Sequence, residues 1–204
     1  MLAKLQETAA ALAARGFEPH VFDTADQAAA FVLSLAVPGA LVAVGGSSTV
    51  KDMNLHTALR AQGNEVLWHW EAAADEKAAV LARAMHADLY LASANALTES
   101  GVIVQIDGTG NRVAAQVFGP KTVCLIVGKN KLVSGGYAQA VARIKTVACP
   151  LNARRLGLNT PCARTGKCSA GECTKSMCSV VCSFERAPGG RRFVVLLVNE
   201  DLGY

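Results

Sequence analysis

The chain has 204 residues, 51% of them hydrophobic and 18% charged, with seven cysteines and a formal net charge of +4. That length suits one domain, with a core large enough to fold without disulfide staples. No run of 18 apolar residues is present and the first fourteen include Lys4 and Glu7, so no membrane span and no secretory leader are expected, and the cysteines are expected to be reduced in the cytoplasm.

Leu2, Leu5, Ala9 and Leu12 recur at helical spacing, which predicts a helix over 2–15 stopped by Gly16. Residues 17–22 read as a short strand and Thr24 as the cap of a helix over 25–35. Residues 40–44 read as a buried strand that runs straight into Gly45-Gly46-Ser47-Ser48-Thr49. A helix over 50–62, a strand over 65–70, a helix over 72–86 and a strand over 88–92 follow. This alternation predicts an α/β fold, a Rossmann-like and mostly parallel sheet flanked by helices. Residues 101–106 and 112–118 read as a β-hairpin, because the glycines between them allow the positive φ that its turn demands. Residues 122–127 form a further strand, 135–147 a helix before Pro150, and 193–198 a closing strand. Residues 150–185 show no period. The Cys-rich segment 160–185 reads as an insertion within one domain spanning 1–204.

Three segments carry chemistry. In the first, Gly45, Gly46, Ser47, Ser48 and Thr49 join a strand to a helix, so their amides and hydroxyls can cradle a phosphate or carboxylate; the alternative is a tight turn with a capping hydroxyl. In the second, Ser93, Asn95 and Thr98 follow a strand, at the sheet edge where open α/β folds bind ligands. Glu99 beside them can act as a catalytic acid, base or nucleophile if a desolvated cleft raises its pKa; otherwise these are capping residues and a solvated charge. In the third, Asp107, Gly108, Gly110, Asn111 and Arg112 offer a turn and a guanidinium able to pair a substrate carboxylate bidentately; a turn alone would explain the glycines.

These segments resemble the LUD domain, the unit of bacterial lactate-utilisation proteins. The likeness rests on Asp88 to Gly101, on Asp107-Gly108-Thr109-Gly110-Asn111-Arg112-Val113-Ala114, on Gly119-Pro120 and on Gly128-Lys129-Asn130-Lys131, all in one order. The resemblance implies a fold like that of ribose-5-phosphate isomerase and the CoA-transferases. It places Gly45–Thr49 where those isomerases bind phosphate, and Glu99 where some CoA-transferases carry a catalytic glutamate. It also implies a part in oxidising lactate, a small 2-hydroxy carboxylate, with iron–sulfur proteins as partners.

Cys162, Cys168, Cys173, Cys178 and Cys182 fall within 21 residues. None of their spacings is the CxxC of zinc ribbons or bacterial ferredoxins. Thiolates are soft ligands, so a [4Fe–4S] cluster leads the readings, ahead of zinc, with free thiols or disulfides as the alternative. Arg164, Lys167 and Lys175 would lower the thiol pKa values and offset a cluster's charge. Cys124 reads as packing, and Cys149 can go either way. The four histidines read as structural, and Trp68 and Trp70 as core. Two functional expectations follow: a small-carboxylate enzyme component with an iron–sulfur cluster, or a thiol-based redox sensor or electron-transfer accessory. The partner expected is a small anionic substrate, carboxylate or phosphate. A nucleic acid is not expected, since basic runs interleaved with aromatics are missing.

Overall fold

The computed structural model describes residues 1–169, 173, 174 and 176–204. Strands β1 (Glu18–Phe22), β2 (Leu41–Val44), β3 (Glu65–Trp68) and β4 (Leu89–Ala92) alternate with helices α1 (Leu2–Ala14), α2 (Ala25–Leu35), α3 (Ser48–Asp52), α4 (Leu55–Ala61) and α5 (Lys77–Ala84). Next come β5 (Ala96–Thr98), β6 (Ile103–Asp107), α6 (Asn111–Val117), β7 (Thr122–Gly128) and β8 (Leu132–Val133). The chain then forms α7 (Tyr137–Arg143), α8 (Cys149–Arg155), α9 (Pro161–Thr165), β9 (Val180–Phe184) and β10 (Arg192–Val198).

Six strands make one sheet in the order β1-β10-β7-β4-β2-β3, and every neighbouring pair is parallel. The fold is therefore Rossmann-like, as the alternation implies. Parallel strands covered on both faces should be apolar throughout, and β10 is: Phe193, Val195 and Leu197 pack into one layer, Val194, Leu196 and Val198 into the other. At the far edge Arg192 holds the Glu18 carboxylate, drawing its pKa down to about 2. A smaller sheet, β8-β5-β6-β9, lies beside the first, and Ala96, Val104 and Ile106 share a third apolar cluster with Ala140, Ile144 and Cys149.

Four local expectations change. The helix expected over 50–62 is two, broken at Asn54 with φ 51°, a left-handed conformation that Asn tolerates. The helix expected from 72 begins only at Lys77. The hairpin is β5–β6 rather than 101–106 with 112–118. Segment 112–118 is helical because β5 and β9 already flank β6. In addition the Asp107 carboxylate accepts the Arg112 and Val113 amides at 3.0 and 3.2 Å, fixing the first turn of α6. Finally, Pro150 does not end the helix before it. A π-helical turn over Ile144–Ala148 links α7 to α8, the Cys149 amide donating five residues back to Ile144, and Pro150 falls in the first turn of α8. There its missing N–H is tolerated.

Candidate functional site

Because the six strands are parallel, all their carboxyl ends reach one edge. The order reverses between β2 and β4: from β2 the chain moves outward to β3, and from β4 it moves the other way to β7 and then β10. Loops after two such strands diverge to opposite faces and leave a crevice, the place where open α/β sheets bind ligands. A cavity of about 290 Å³ lies there. Gly46 to Thr49 line it after β2, His69 and Trp70 after β3, Ser93 and Asn95 after β4, and Lys131 after β7. The end of β6 and the turn into α6 add Asp107, Gly108, Asn111 and Arg112. The far wall is Ile144, Ala148, Cys149, Asn152 and Arg155 from the π turn and α8, with Met177 and Tyr204.

Ten of the thirteen residues expected to bind ligand thus meet around one cavity. Gly45, Thr98 and Gly110 do not line it. Gly45 lies behind it, and an added Cβ there would fall 2.7 Å from Tyr90 Oη and 3.3 Å from Arg112 Cγ. Gly45→Ala is therefore expected to displace the Arg112 guanidinium and weaken anion binding at least tenfold (about 1.4 kcal/mol), read by titration calorimetry. Thr98 is buried and bonds Ser100 and the Val102 amide. Gly110 supplies a left-handed turn, φ 86°, before α6.

Glu99 also stands outside the cavity. It is at the surface, bonded to Lys4 at 3.0 Å and to the Ser134 hydroxyl at 2.7 Å. The Ser134 hydrogen bond and then Lys4 hold its carboxyl below the usual range. This is the reverse of what a desolvated acid–base carboxylate needs, because both contacts favour the charged form. Glu99→Gln is expected to leave ligand affinity at the wild-type value in the same titration.

Lys131 is the residue the sequence reading passed over. It is 3% exposed. Its ammonium donates to Thr49 Oγ1 at 2.8 Å and Ser93 Oγ at 2.7 Å, and among the described residues it pairs with no carboxylate. Burial pulls its pKa down to about 7, with help from Arg143 and Arg112. The Arg112 guanidinium bonds the Ile106 carbonyl at 2.8 Å and lies 3.7 Å from Asp107. Arg155 stacks 4.3 Å over Trp70, so Trp70 is cavity wall on that side and core on the other, where it stacks on Trp68. Asp107 is the one carboxylate side chain lining the cavity among the described residues, and its oxygens already accept the amides of Gly108, Arg112 and Val113. The cleft is therefore electropositive. His69 is half-buried, and burial, then Lys77 and Arg112, lower its pKa, so it stands neutral at pH 7.

A second cavity, about 280 Å³, is lined by Cys149, Cys162, Cys168, Cys173 and Cys178 with Lys145. Cys149 thus joins four of the five cysteines expected together, and it lines both cavities. Cys182 does not join them: it lies on β9 opposite Gln105 and packs against the main core. The Cys149 and Cys178 sulfurs are 3.4 Å apart. Their shared hydrogen bond and then Lys145 draw the Cys178 thiol down towards the thiolate, while the same hydrogen bond and burial push the Cys149 thiol up. Among the described residues no three His, Cys, Asp or Glu side chains are grouped to hold one metal ion. Lys175, expected beside the thiols, lies outside the described residues. No helix is long and apolar enough to cross a membrane among the described residues.

Fold and cleft together define a Rossmann-like α/β protein with a cationic pocket at the switch point of its sheet. The LUD domain profile matches residues 5–198, and the chain belongs to the LUD domain family. Among solved structures it resembles a DUF162 family protein from Deinococcus radiodurans, at 14% identity over 96% of each chain and a TM-score of 0.55, a likeness of fold alone. A weaker overlap, TM-score 0.39 at 17% identity, covers 54% of this chain and 43% of eIF2B beta from Chaetomium thermophilum, and it carries no argument. No curated protein sequence matches the chain.

Proposed function

We propose that the cleft binds a small carboxylate, with a 2-hydroxy acid such as lactate and its 2-oxo product as the reacting pair, and that the thiol cavity holds an iron–sulfur cluster. The observation that carries this reading is the convergence of Lys131, Arg112 and Arg155 on one cavity where Asp107, the one carboxylate side chain lining it among the described residues, is already occupied. A buried cation without a counter-charge is costly, and a bound anion supplies what is missing. The volume, about 290 Å³, is at the small end of ligand cavities (roughly 300–1,000 Å³), which suits a three-carbon acid and not a dinucleotide. Arg112 and the Lys131 ammonium, itself held by Thr49 and Ser93, would hold the carboxylate. His69, which lines the same cavity, would accept a hydrogen bond from the substrate hydroxyl.

The cluster reading rests on the donor set. Five thiols around one cavity suit a multi-iron cluster, which needs four cysteine ligands. Zinc, which needs four ligands on one ion, is the lesser reading, since no three such side chains are grouped for one ion among the described residues. Cys149, Cys162, Cys168, Cys173 and Cys178 would supply the ligands, and Lys145 would offset the charge. Such a cluster supplies one-electron transfer, and Cys149 would set it against the substrate cavity. Calorimetry with lactate, pyruvate, phosphate and sulfate tests the anion site. Affinity is expected to be strongest at acid pH and to fall as pH rises through about 7, where Lys131 loses its proton; a flat profile would remove Lys131 from the site.

A second reading, a thiol redox sensor, is favoured by the 3.4 Å Cys149–Cys178 approach. Thiol titration before and after peroxide separates the two: a sensor loses a pair of free thiols reversibly, whereas a cluster protein is brown and binds iron when purified without oxygen.

A further inference from the structure

Lys131 holds more chemistry than a counter-charge. Its nitrogen has two hydroxyl neighbours, and both have already spent their hydrogen: Thr49 Oγ1 donates to the Leu202 carbonyl at 3.3 Å, and Ser93 Oγ donates to the Ile126 carbonyl at 2.5 Å. Each hydroxyl can therefore only accept from Nζ, and together they take two N–H groups. One tetrahedral position of the nitrogen is left without a partner among the described residues, in the cavity that the residue lines. In the ammonium that position is a proton. In the free amine it is the lone pair, and both hydroxyls still accept as before. The local hydrogen bonding thus tolerates deprotonation without rearrangement. The side chain is 3% exposed, so bulk water does not compete for the lone pair.

We propose that Lys131 is a nucleophile that forms an imine with a 2-oxo acid in the cleft. This rests on the small-carboxylate reading above and goes beyond it, because a non-covalent anion site needs only the proton. The carboxylate of the 2-oxo acid pairs with Arg112, which places the carbonyl carbon toward Nζ. The lone pair adds to that carbon, and the carbonyl oxygen takes up a proton to give a carbinolamine. The oxygen then leaves as water, carrying away both amine hydrogens, and a C=N bond remains. Nothing is oxidised or reduced in the step. Gly128 and residues 199–204 shape the pocket around this nitrogen: an added Cβ at Gly128 would meet the Leu202 amide at 2.6 Å, so the segment carrying the Thr49-bonded carbonyl passes there only over a glycine.

The test uses the whole protein with pyruvate and sodium borohydride, which reduces the C=N bond to a stable secondary amine. Peptide mass spectrometry is expected to find the reduced pyruvate adduct on Lys131 and no other lysine. Its yield should grow as pH rises through about 7, where the free amine appears, and excess lactate should suppress it. Lys131→Met, checked for folding by circular dichroism, should give no adduct. Calorimetry with pyruvate runs alongside. Pyruvate that binds without any adduct at Lys131 overturns the imine and leaves the anion site standing. Adducts scattered over surface lysines overturn it too. Absence of any pyruvate or lactate binding overturns the carboxylate reading itself.

Discussion

Lys131→Met is expected to remove anion binding while raising the melting temperature. The first effect follows from losing the buried cation that faces the ligand: truncating one partner of a buried, hydrogen-bonded charge pair costs about 2–5 kcal/mol, roughly 30-fold or more in affinity. The second follows because the unliganded protein bears a desolvated ammonium that pairs with no carboxylate among the described residues. Replacing buried charge with an apolar side chain of similar length is stabilising by about 1–4 kcal/mol in comparable cases. The pH dependence identifies the cause. The Lys131 pKa is about 7 in the folded protein against 10.5 when unperturbed. Between those values the unfolded chain holds a proton that the folded one has released, so wild-type stability from this group increases as pH rises through the window. The variant has no such term. Its advantage should be largest below about pH 7 and shrink towards pH 10.5. Thermal melts of both proteins across that range check this; an advantage that does not change with pH would mean the gain has another source.

Cys149→Ala is expected to strip most of the iron from protein purified without oxygen, whereas Cys182→Ala should retain it. The contrast separates the arrangement in space from the arrangement along the chain. By sequence, Cys182 is four residues beyond Cys178 and Cys149 thirteen residues before Cys162. In the fold, Cys149 lines one cavity with Cys162, Cys168, Cys173 and Cys178, and Cys182, on β9 opposite Gln105, packs against the main core. Iron and sulfide analysis with the visible spectrum gives the readout. Equal loss in both variants, or iron-free wild-type protein, would dispose of this ligand set. A second consequence is specific to Cys149, since it also lines the substrate cavity: its loss should alter lactate affinity, and loss of Cys168 should not.

The order of elements was legible because each rests on a local signal. The Val-rich runs 40–44, 122–127 and 193–198 read as buried strands, and Thr24 caps its helix with Gln27 in return. The misreading at 112–118 arose because Arg-Val-Ala-Ala-Gln-Val-Phe suits strand and helix alike. The choice was made by Asp107, which caps from outside the segment, and by β9, which arrives from seventy residues downstream to fill the edge of β6. Glu99 misled for a related reason. It sits in a ligand-rich stretch, but β5 ends at Thr98 and the next side chain turns outward to Lys4 on α1.

By itself the sequence determined the alternation of strand and helix, the glycine–hydroxyl loop after β2 and the identity of the thiols, since each depends on residues within a few positions of one another. Only the tertiary structure decided that Lys131 is a buried cation and Glu99 a surface carboxylate, and that Cys149 belongs with the thiols and Cys182 with the core. Charge state and ligand membership depend on burial and on neighbours brought together from distant strands, and neither is encoded at the position itself.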